Sequence, residues 1–169
     1  MRWWLPSGLA VVSIAAVGCG ASAETPQPAG ALPSPIAKMV CAPKAQTDIA
    51  DTLGERSLSV STPVWSDHLY SCSYVYPQGT ITLSIKELSS WTQTYAYFAR
   101  LKKKFGDRHA IAHLGQGAFV TANGWVAVRK DWKVLFVRSH LKGRINGSAV
   151  SGTAAEAVAV VILACWSGD

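Results

Sequence analysis

The first 19 residues constrain this chain most, because they decide the compartment in which the rest of it folds. Met1-Arg2 supplies a positive start, Leu9 to Val17 form an apolar run broken only by Ser13, and small residues then lead to Cys19. This layout is typical of a bacterial export signal. The apolar run is well short of the roughly 20 residues that a membrane-spanning helix needs. We therefore expect the remaining chain to be exported.

A cysteine at the end of such a run resembles the lipobox of bacterial lipoproteins. In that motif the thiol takes a diacylglyceryl group and signal peptidase cuts just before the cysteine. The resemblance implies a signal peptide over residues 1–18 and a lipidated, palmitate-bearing Cys19 on the extracytoplasmic face of the cell membrane. Two acyl chains hold a protein there stably. Ala16 stands where leucine is usual, and a secretory signal cut after Ala21 or Ala23, or an uncleaved anchor, are the alternatives.

The stretch after Cys19 has the composition of a tether. Gly20 to Pro35 contains four prolines and one large apolar residue. Such a segment cannot bury enough surface to offset the entropy lost on ordering. We expect the lipidated cysteine and a Pro-rich tether over residues 19–37. The remaining residues, 38–169, are enough for a single domain with one core.

Apolar periodicity divides this domain into helices and strands. It predicts helices over Pro43–Leu53, Trp91–Phe105 and Thr153 to about Trp166, and strands over residues 58–64, 69–76, 80–87, 118–121, 125–130 and 133–141. Pro43 and Gly54 frame the first helix as N1 and C-cap residues. Apolar side chains of both parities in the strand from Lys133 indicate that it is central and covered on both sides.

The order of these elements is helix, three strands, helix, three strands, helix. This αβββαβββα order predicts an α+β fold, with about three helices on an antiparallel sheet of about six strands in two meanders. Because the helices and the sheet each carry an apolar face, we expect them to form a two-layer sandwich.

Three cysteines remain once Cys19 is lipidated. In an oxidising compartment, one disulfide and one leftover thiol is the simplest arrangement. Cys165 lies in a wholly apolar helix, where a buried thiol would be inert. We therefore favour a bond between Cys41 and Cys72, with Cys165 as the thiol.

Several short features occur together in this chain. They are the lipobox, the tether, a cysteine before a short helix, a cysteine in Tyr70-Ser71-Cys72-Ser73-Tyr74, and the motif Leu114-Gly115-Gln116-Gly117-Ala118. The combination resembles the small cell-envelope lipoproteins of unknown function that are common in actinobacteria. The resemblance implies a disulfide between Cys41 and Cys72 and no established activity.

The polar side chains do not form a complete catalytic motif. His109 and His113 are four apart but lack the metalloprotease glutamate, and the glycines around them disfavour a helix. Ser148 and Ser151 lie in a Gly-rich connection without a nucleophile elbow. His68 and His140 would serve as acid or base only if folding brought them into a cleft. We therefore predict no catalytic residue, no cofactor and no metal site.

Positive charge is concentrated in one part of the chain. From Arg100 to Arg144 there are eleven Lys and Arg against two Asp. The predicted basic patch comprises Lys102, Lys103, Lys104, Arg108, Arg129 and Lys130, with Lys133, Arg138, Lys142 and Arg144 nearby in sequence. Such a patch would meet lipid phosphates, an anionic envelope polymer or an acidic protein. An exported domain rarely meets nucleic acid, so we expect none.

These inferences predict a membrane-anchored exported lipoprotein with a non-catalytic binding or accessory domain that contacts an anionic envelope surface. We expect it to be a monomer. One alternative is a carrier of a small apolar ligand, held in a cavity between the sheet and aromatic-rich helices. A hydrolytic enzyme is the weaker alternative.

Overall fold

A computed structural model describes residues 26–145, 148–149 and 153–167. The predicted signal peptide and Cys19 lie outside these residues. The helices are α1 (Pro35–Met39), α2 (Pro43–Leu53), α3 (Trp91–Phe105) and α4 (Thr153–Ser167). The strands are β1 (Ser59–Val60), β2 (Val64–Ser66), β3 (Leu69–Tyr76), β4 (Gly79–Glu87), β5 (His109–Ile111), β6 (Ala118–Val120), β7 (Val126–Lys130), β8 (Lys133–Ser139), β9 (Arg144–Ile145) and β10 (Ser148–Ala149). In the described part of the chain, none of these helices combines the length and the hydropathy that crossing a bilayer requires.

One antiparallel sheet forms the centre of the domain. Its strand order is β1-β3-β4-β8-β7-β6-β5, and β2 also pairs with β3. The pairing of β4 with β8 joins the two predicted meanders into a single sheet. The α+β class with an antiparallel sheet is thus confirmed. The predicted strand over residues 58–64 is divided into β1 and β2, because Pro63 between them cannot donate a backbone hydrogen bond.

The first face of the sheet, which we call the three-helix face, carries α1, α2 and α4. Ile81, Leu83 and Ile85 of β4 point to this face and are fully buried. They share one core with Ile49 of α2 and Ile162 of α4. Burial of this apolar surface is the main stabilising contribution on this side.

The second face, which we call the α3 face, is covered by α3 and by no other helix of the described residues. Phe98 and Leu101 of α3 pack against Phe119 of β6, Ala127 of β7 and Phe136 of β8. Helices therefore lie on both faces of the sheet, whereas the prediction placed them in a single layer. The reason is visible in β8, whose alternate apolar residues divide between the two cores. The prediction that this strand is covered on both sides is confirmed.

A disulfide ties α1 and α2 to the sheet. Cys41 follows α1 and is bonded to Cys72 of β3, with their Cα atoms 6.0 Å apart. This predicted pair is confirmed. Cys165 is also disulfide-bonded, and no cysteine among the described residues is free. The prediction of a leftover thiol at Cys165 is therefore wrong in this structure, and the bonded partner lies outside the described residues.

Part of the predicted tether belongs to the folded domain. Ser34 caps α1 through its side chain, and its backbone N–H donates to the carboxylate of Glu87 at 3.2 Å. Ile36 and Ala37 are buried in the core, so folded structure begins before the predicted boundary at residue 38. The carbonyl of Ala31 accepts a hydrogen bond from the indole of Trp65 at 2.9 Å. Capping and these long-range contacts offset the ordering entropy that the composition alone suggested would prevail.

Candidate anion-binding surface

The six residues of the predicted basic patch do not lie on one surface. Arg129 and Lys130 are neighbours on β7, so their side chains point to opposite faces of the sheet. Lys102, Lys103 and Lys104 occupy the last turn of α3, where positive charge favours the helix dipole. Only the part of the patch near the end of α3 remains as a cluster.

Arg129 is a structural cation beneath α3. Its residue is only 8% exposed, and its guanidinium carbon lies 4.0 Å from the centre of the Tyr95 ring. Nη2 donates a hydrogen bond to the carbonyl of Gln116. A desolvated cation stacked on an aromatic ring contributes to stability and is withdrawn from solvent. Arg129 therefore does not belong to the predicted binding patch.

The Gly115-Gln116-Gly117 turn is hydrogen-bonded to the backbone of Arg129, and this contact accounts for its glycines. The N–H of Gln116 donates to the carbonyl of Arg129 at 2.8 Å, and the N–H of Arg129 donates to Gly117 at 2.8 Å. Gly115 has a φ of +58°, and a Cβ there would lie 2.9 Å from the Arg129 carbonyl oxygen. Only glycine permits so close an approach. The Gly115-Gln116-Gly117 turn thus holds β7 in place through backbone hydrogen bonds.

Lys130 lies on the three-helix face. Its ammonium group is 6.0 Å from the centre of the Trp166 ring of α4. Together with residues of α4 and of the turn before β6, it lines an open groove of about 430 Å³. That groove also contains His113 and is on the other side of the sheet from the lysines of α3.

Three exposed cations remain together at the end of α3: Lys103, Lys104 and Arg108, which we call the lysine end. Lys102 does not join them, because its ammonium group pairs with Asp107 at 2.6 Å and lies 5.1 Å from the centre of the Phe119 ring. The ammonium of Lys104 lies over Phe105 at 5.1 Å. Exposed cations of this kind attract anions over roughly a Debye length of about 8 Å.

Arg100 lies one turn of α3 before Lys104, and therefore on the same side of the helix, and the predicted patch did not include it. Tyr97 and Arg100 are three apart on α3, and the Arg100 guanidinium carbon lies 5.7 Å from the centre of the Tyr97 ring. Burial raises the pKa of Tyr97, while Arg100 and Arg138 act in the opposite direction. Both arginines therefore lie close enough to the phenol of Tyr97 to influence its pKa. Arg138 was counted with the basic half of the chain, but nothing in the sequence linked it to Arg100.

Beside these arginines, the α3 face of β3 and β4 carries hydroxyl groups, and no helix of the described residues covers it. Ser71 is opposite Ser84, and Ser73 is opposite Thr82. The hydroxyl groups of Ser73 and Thr82 are 2.8 Å apart. We call these four residues together with Thr80 the hydroxyl strip. Four of its members are partly exposed and Ser84 is buried.

The histidines remain apart from one another. His109 lies in edge strand β5 rather than in the predicted loop, and its Nε2 is 3.9 Å from a carboxylate oxygen of Glu156. His68 Nδ1 is 3.1 Å from the carbonyl of Gly30, and His140 lies against Trp125 with ring centres 5.1 Å apart. Among the described residues, no group of three or more His, Cys, Asp and Glu side chains could hold a metal ion.

The aromatic side chains under α3 pack against one another. Phe98 and Phe119 have ring centres 5.0 Å apart, and Phe105 is 5.4 Å from Trp125 and 5.3 Å from Phe136. These are the distances of rings in direct contact. These rings occupy the space between α3 and the sheet in which an apolar ligand would bind. The packing therefore gives no support to the alternative that the protein carries such a ligand.

Comparison of the chain with protein-family models, curated proteins and solved structures finds no match. The functional interpretation therefore depends on the surface itself. Arg100 and Lys104 lie on one side of α3, Arg138 lies on β8 on the α3 face of the sheet, and such cations are suited to binding anions.

Proposed function

We propose that this protein is a membrane-anchored exported lipoprotein whose domain is a non-catalytic binding or accessory module for an anionic envelope surface. The charged start, apolar run and Cys19 of the sequence support export and lipidation. The observation that carries the binding proposal is the lysine end, where the exposed Lys103 and Lys104 in the last turn of α3 are followed by the exposed Arg108.

The charge balance of this region supports attraction to a surface rather than to one small anion. Lys102 is already paired with Asp107, whereas Lys103, Lys104 and Arg108 are exposed. Basic residues near an anionic membrane contribute about 1 kcal/mol each at low salt. A tether would allow the lysine end to reach the surface without a fixed orientation of the domain.

The binding proposal is tested with the chain from Gly20 and vesicles that contain phosphatidylglycerol. We expect binding that weakens steeply with salt, because exposed charges are screened. The Lys103→Gln/Lys104→Gln variant should bind several-fold more weakly. Lys38→Gln/Arg56→Gln makes the same change in charge at exposed positions far from α3 and is the control. Binding that salt and the lysine replacement leave unchanged would contradict the proposal.

The lipidation proposal is tested by metabolic labelling with a fatty-acid analogue. We expect label on the wild type and none on Cys19→Ala. Equal labelling of the wild type and Cys19→Ala, or a mature protein that still begins at Met1, would refute lipidation.

A further inference from the structure

We propose that the hydroxyl strip, with Arg100 and Arg138 at its margin, is a binding site for an anionic glycan. Serine and threonine hydroxyls would exchange hydrogen bonds with the sugar, and the two arginines would bind its phosphate or carboxylate groups. The inference takes the envelope location from the proposed function, but it concerns the exposed strands beside α3 rather than the lysines at the end of the helix.

The strands place the hydroxyl groups in rows that lead to the arginine. Ser73 of β3 is opposite Thr82 of β4, and Thr82 is opposite Arg138 of β8. Neighbouring strands are about 4.8 Å apart, so this row crosses about 10 Å of the sheet. In the next row Ser71 is opposite Ser84. Each hydroxyl can donate one hydrogen bond and accept two, as sugar hydroxyls also do.

The charge on this surface has one sign. Helix α3 contains no Asp or Glu. None of the residues of β3, β4 and β8 that point to the α3 face is acidic, whereas Arg138 and Lys86 do point there. The ammonium group of Lys86 donates to the backbone carbonyl of Asp67 and keeps its positive charge, so it adds to the charge of the arginines. Guanidinium groups bind phosphate and carboxylate with paired hydrogen bonds.

Arg138 is partly exposed at the end of this row. Its Nε is buried and has no hydrogen-bond partner within the described part of the chain. Tyr97 keeps its proton at neutral pH, because the ordinary pKa of 10.0 is well above neutral and burial raises it further. A neutral phenol next to two guanidinium groups adds another donor and brings no negative charge.

The shape of the surface favours a polymer chain over a membrane. Helix α3 stands beside the strip on the same face and is about 10 Å across with its side chains. The hydroxyl strip is therefore recessed relative to α3. A flat bilayer could not contact the strip, because the helix would meet the bilayer first. Serine is also depleted from protein interfaces, whose centres favour aromatic residues. An extended, hydroxylated and negatively charged polymer fits this recessed surface best.

The test uses the full mature protein in phosphatidylcholine nanodiscs, with phosphorylated mannan as the probe. Unphosphorylated mannan of the same length and inorganic phosphate are the reference ligands. We expect the phosphorylated polymer to bind most tightly. Arg100→Gln should weaken it by about tenfold, as expected for a hydrogen bond to a charged group. Thr82→Val removes a hydroxyl at nearly constant shape and should weaken it by a smaller factor.

The matched control is Lys38→Gln, which removes one positive charge from an exposed position of α1, on the other face of the sheet, and should leave mannan binding unchanged. Melting temperatures of all variants are compared to exclude unfolding. Binding that neither Arg100→Gln nor Thr82→Val weakens would overturn the inference. So would a loss of phosphatidylglycerol vesicle binding in these two variants that equals their loss of mannan binding. If instead the lysine variants lose vesicle binding while the strip variants lose mannan binding, both proposals stand separately.

Discussion

The two faces of the sheet use the same strands in different ways. The three-helix face is apolar, and three helices and the Cys41–Cys72 bond cover it. The α3 face has an apolar half under one helix and a hydroxylated half that no described helix covers. An antiparallel sheet needs only one buried face for stability, so its other face is available for function. The comparison indicates that stability and binding are divided between the faces.

The largest effect should come from removing the disulfide of the three-helix face. Cys41 and Cys72 are separated by 31 residues. In the chain-entropy model, a loop of that length contributes about 4 kcal/mol to the free energy of unfolding. We expect the Cys41→Ala/Cys72→Ala variant to lose about that amount in urea denaturation. Ser59→Ala, within the same loop but pointing to the α3 face, is the control. A loss below about 1 kcal/mol would mean that the disulfide does not organise this face.

A comparison within one strand separates the faces more sharply. Leu83 is fully buried on the three-helix face, whereas its neighbour Thr82 is partly exposed on the α3 face. We expect Leu83→Ala to lower the free energy of unfolding by about 3 kcal/mol, from lost burial and a cavity. Thr82→Val should change it by less than about 0.5 kcal/mol. Equal losses in the two variants would show that the hydroxyl strip is itself part of the stabilising core.

Much of this fold follows from local signals in the sequence. Pro43 and Gly54 gave the bounds of α2, and the aromatic spacing from Trp91 to Phe105 gave those of α3. The missed helix α1 depends on the Ser34 cap and on contacts with residues distant in sequence, such as Glu87. Strand β5 was missed because its three residues form a strand only by pairing with β6.

Only the part of the binding surface that comes from consecutive residues could be predicted from the sequence. The three consecutive lysines of α3 are visible in any reading of the sequence. Arg129 looked equally available, but its burial depends on which flank of α3 packs over β7. Arg100 of α3 and Arg138 of β8 both act on the pKa of Tyr97, and this depends on the packing of α3 against the sheet, which is a non-local property. Side chains alternate along a strand, so adjacent charged residues of a central strand lie on opposite faces of the sheet. This alternation is the sequence signal that such residues do not share one surface.

The smallest expected effect concerns pH and again separates the faces. Tyr74 and Tyr76 point to the three-helix face, where the hydroxyl of Tyr74 donates to the carbonyl of Val40 at 2.6 Å. Burial raises the pKa of both, and for Tyr76 burial together with the nearby Glu55 raises the pKa from 10.0 to about 12. On the α3 face, the two arginines partly offset the same effect for Tyr97.

A raised pKa in the folded state means that folding favours the neutral phenol. The stabilisation is complete below the unfolded pKa of 10.0 and is lost as pH rises through about 12. We expect Tyr76→Phe to match the wild type at neutral pH and to lose less stability above pH 10, in urea denaturation at successive pH values. Tyr95→Phe removes a phenol that is 55% exposed on the α3 face and is the control. If Tyr76→Phe and the wild type lose stability equally with rising pH, the buried phenol of Tyr76 is not what limits the alkaline stability of the three-helix face.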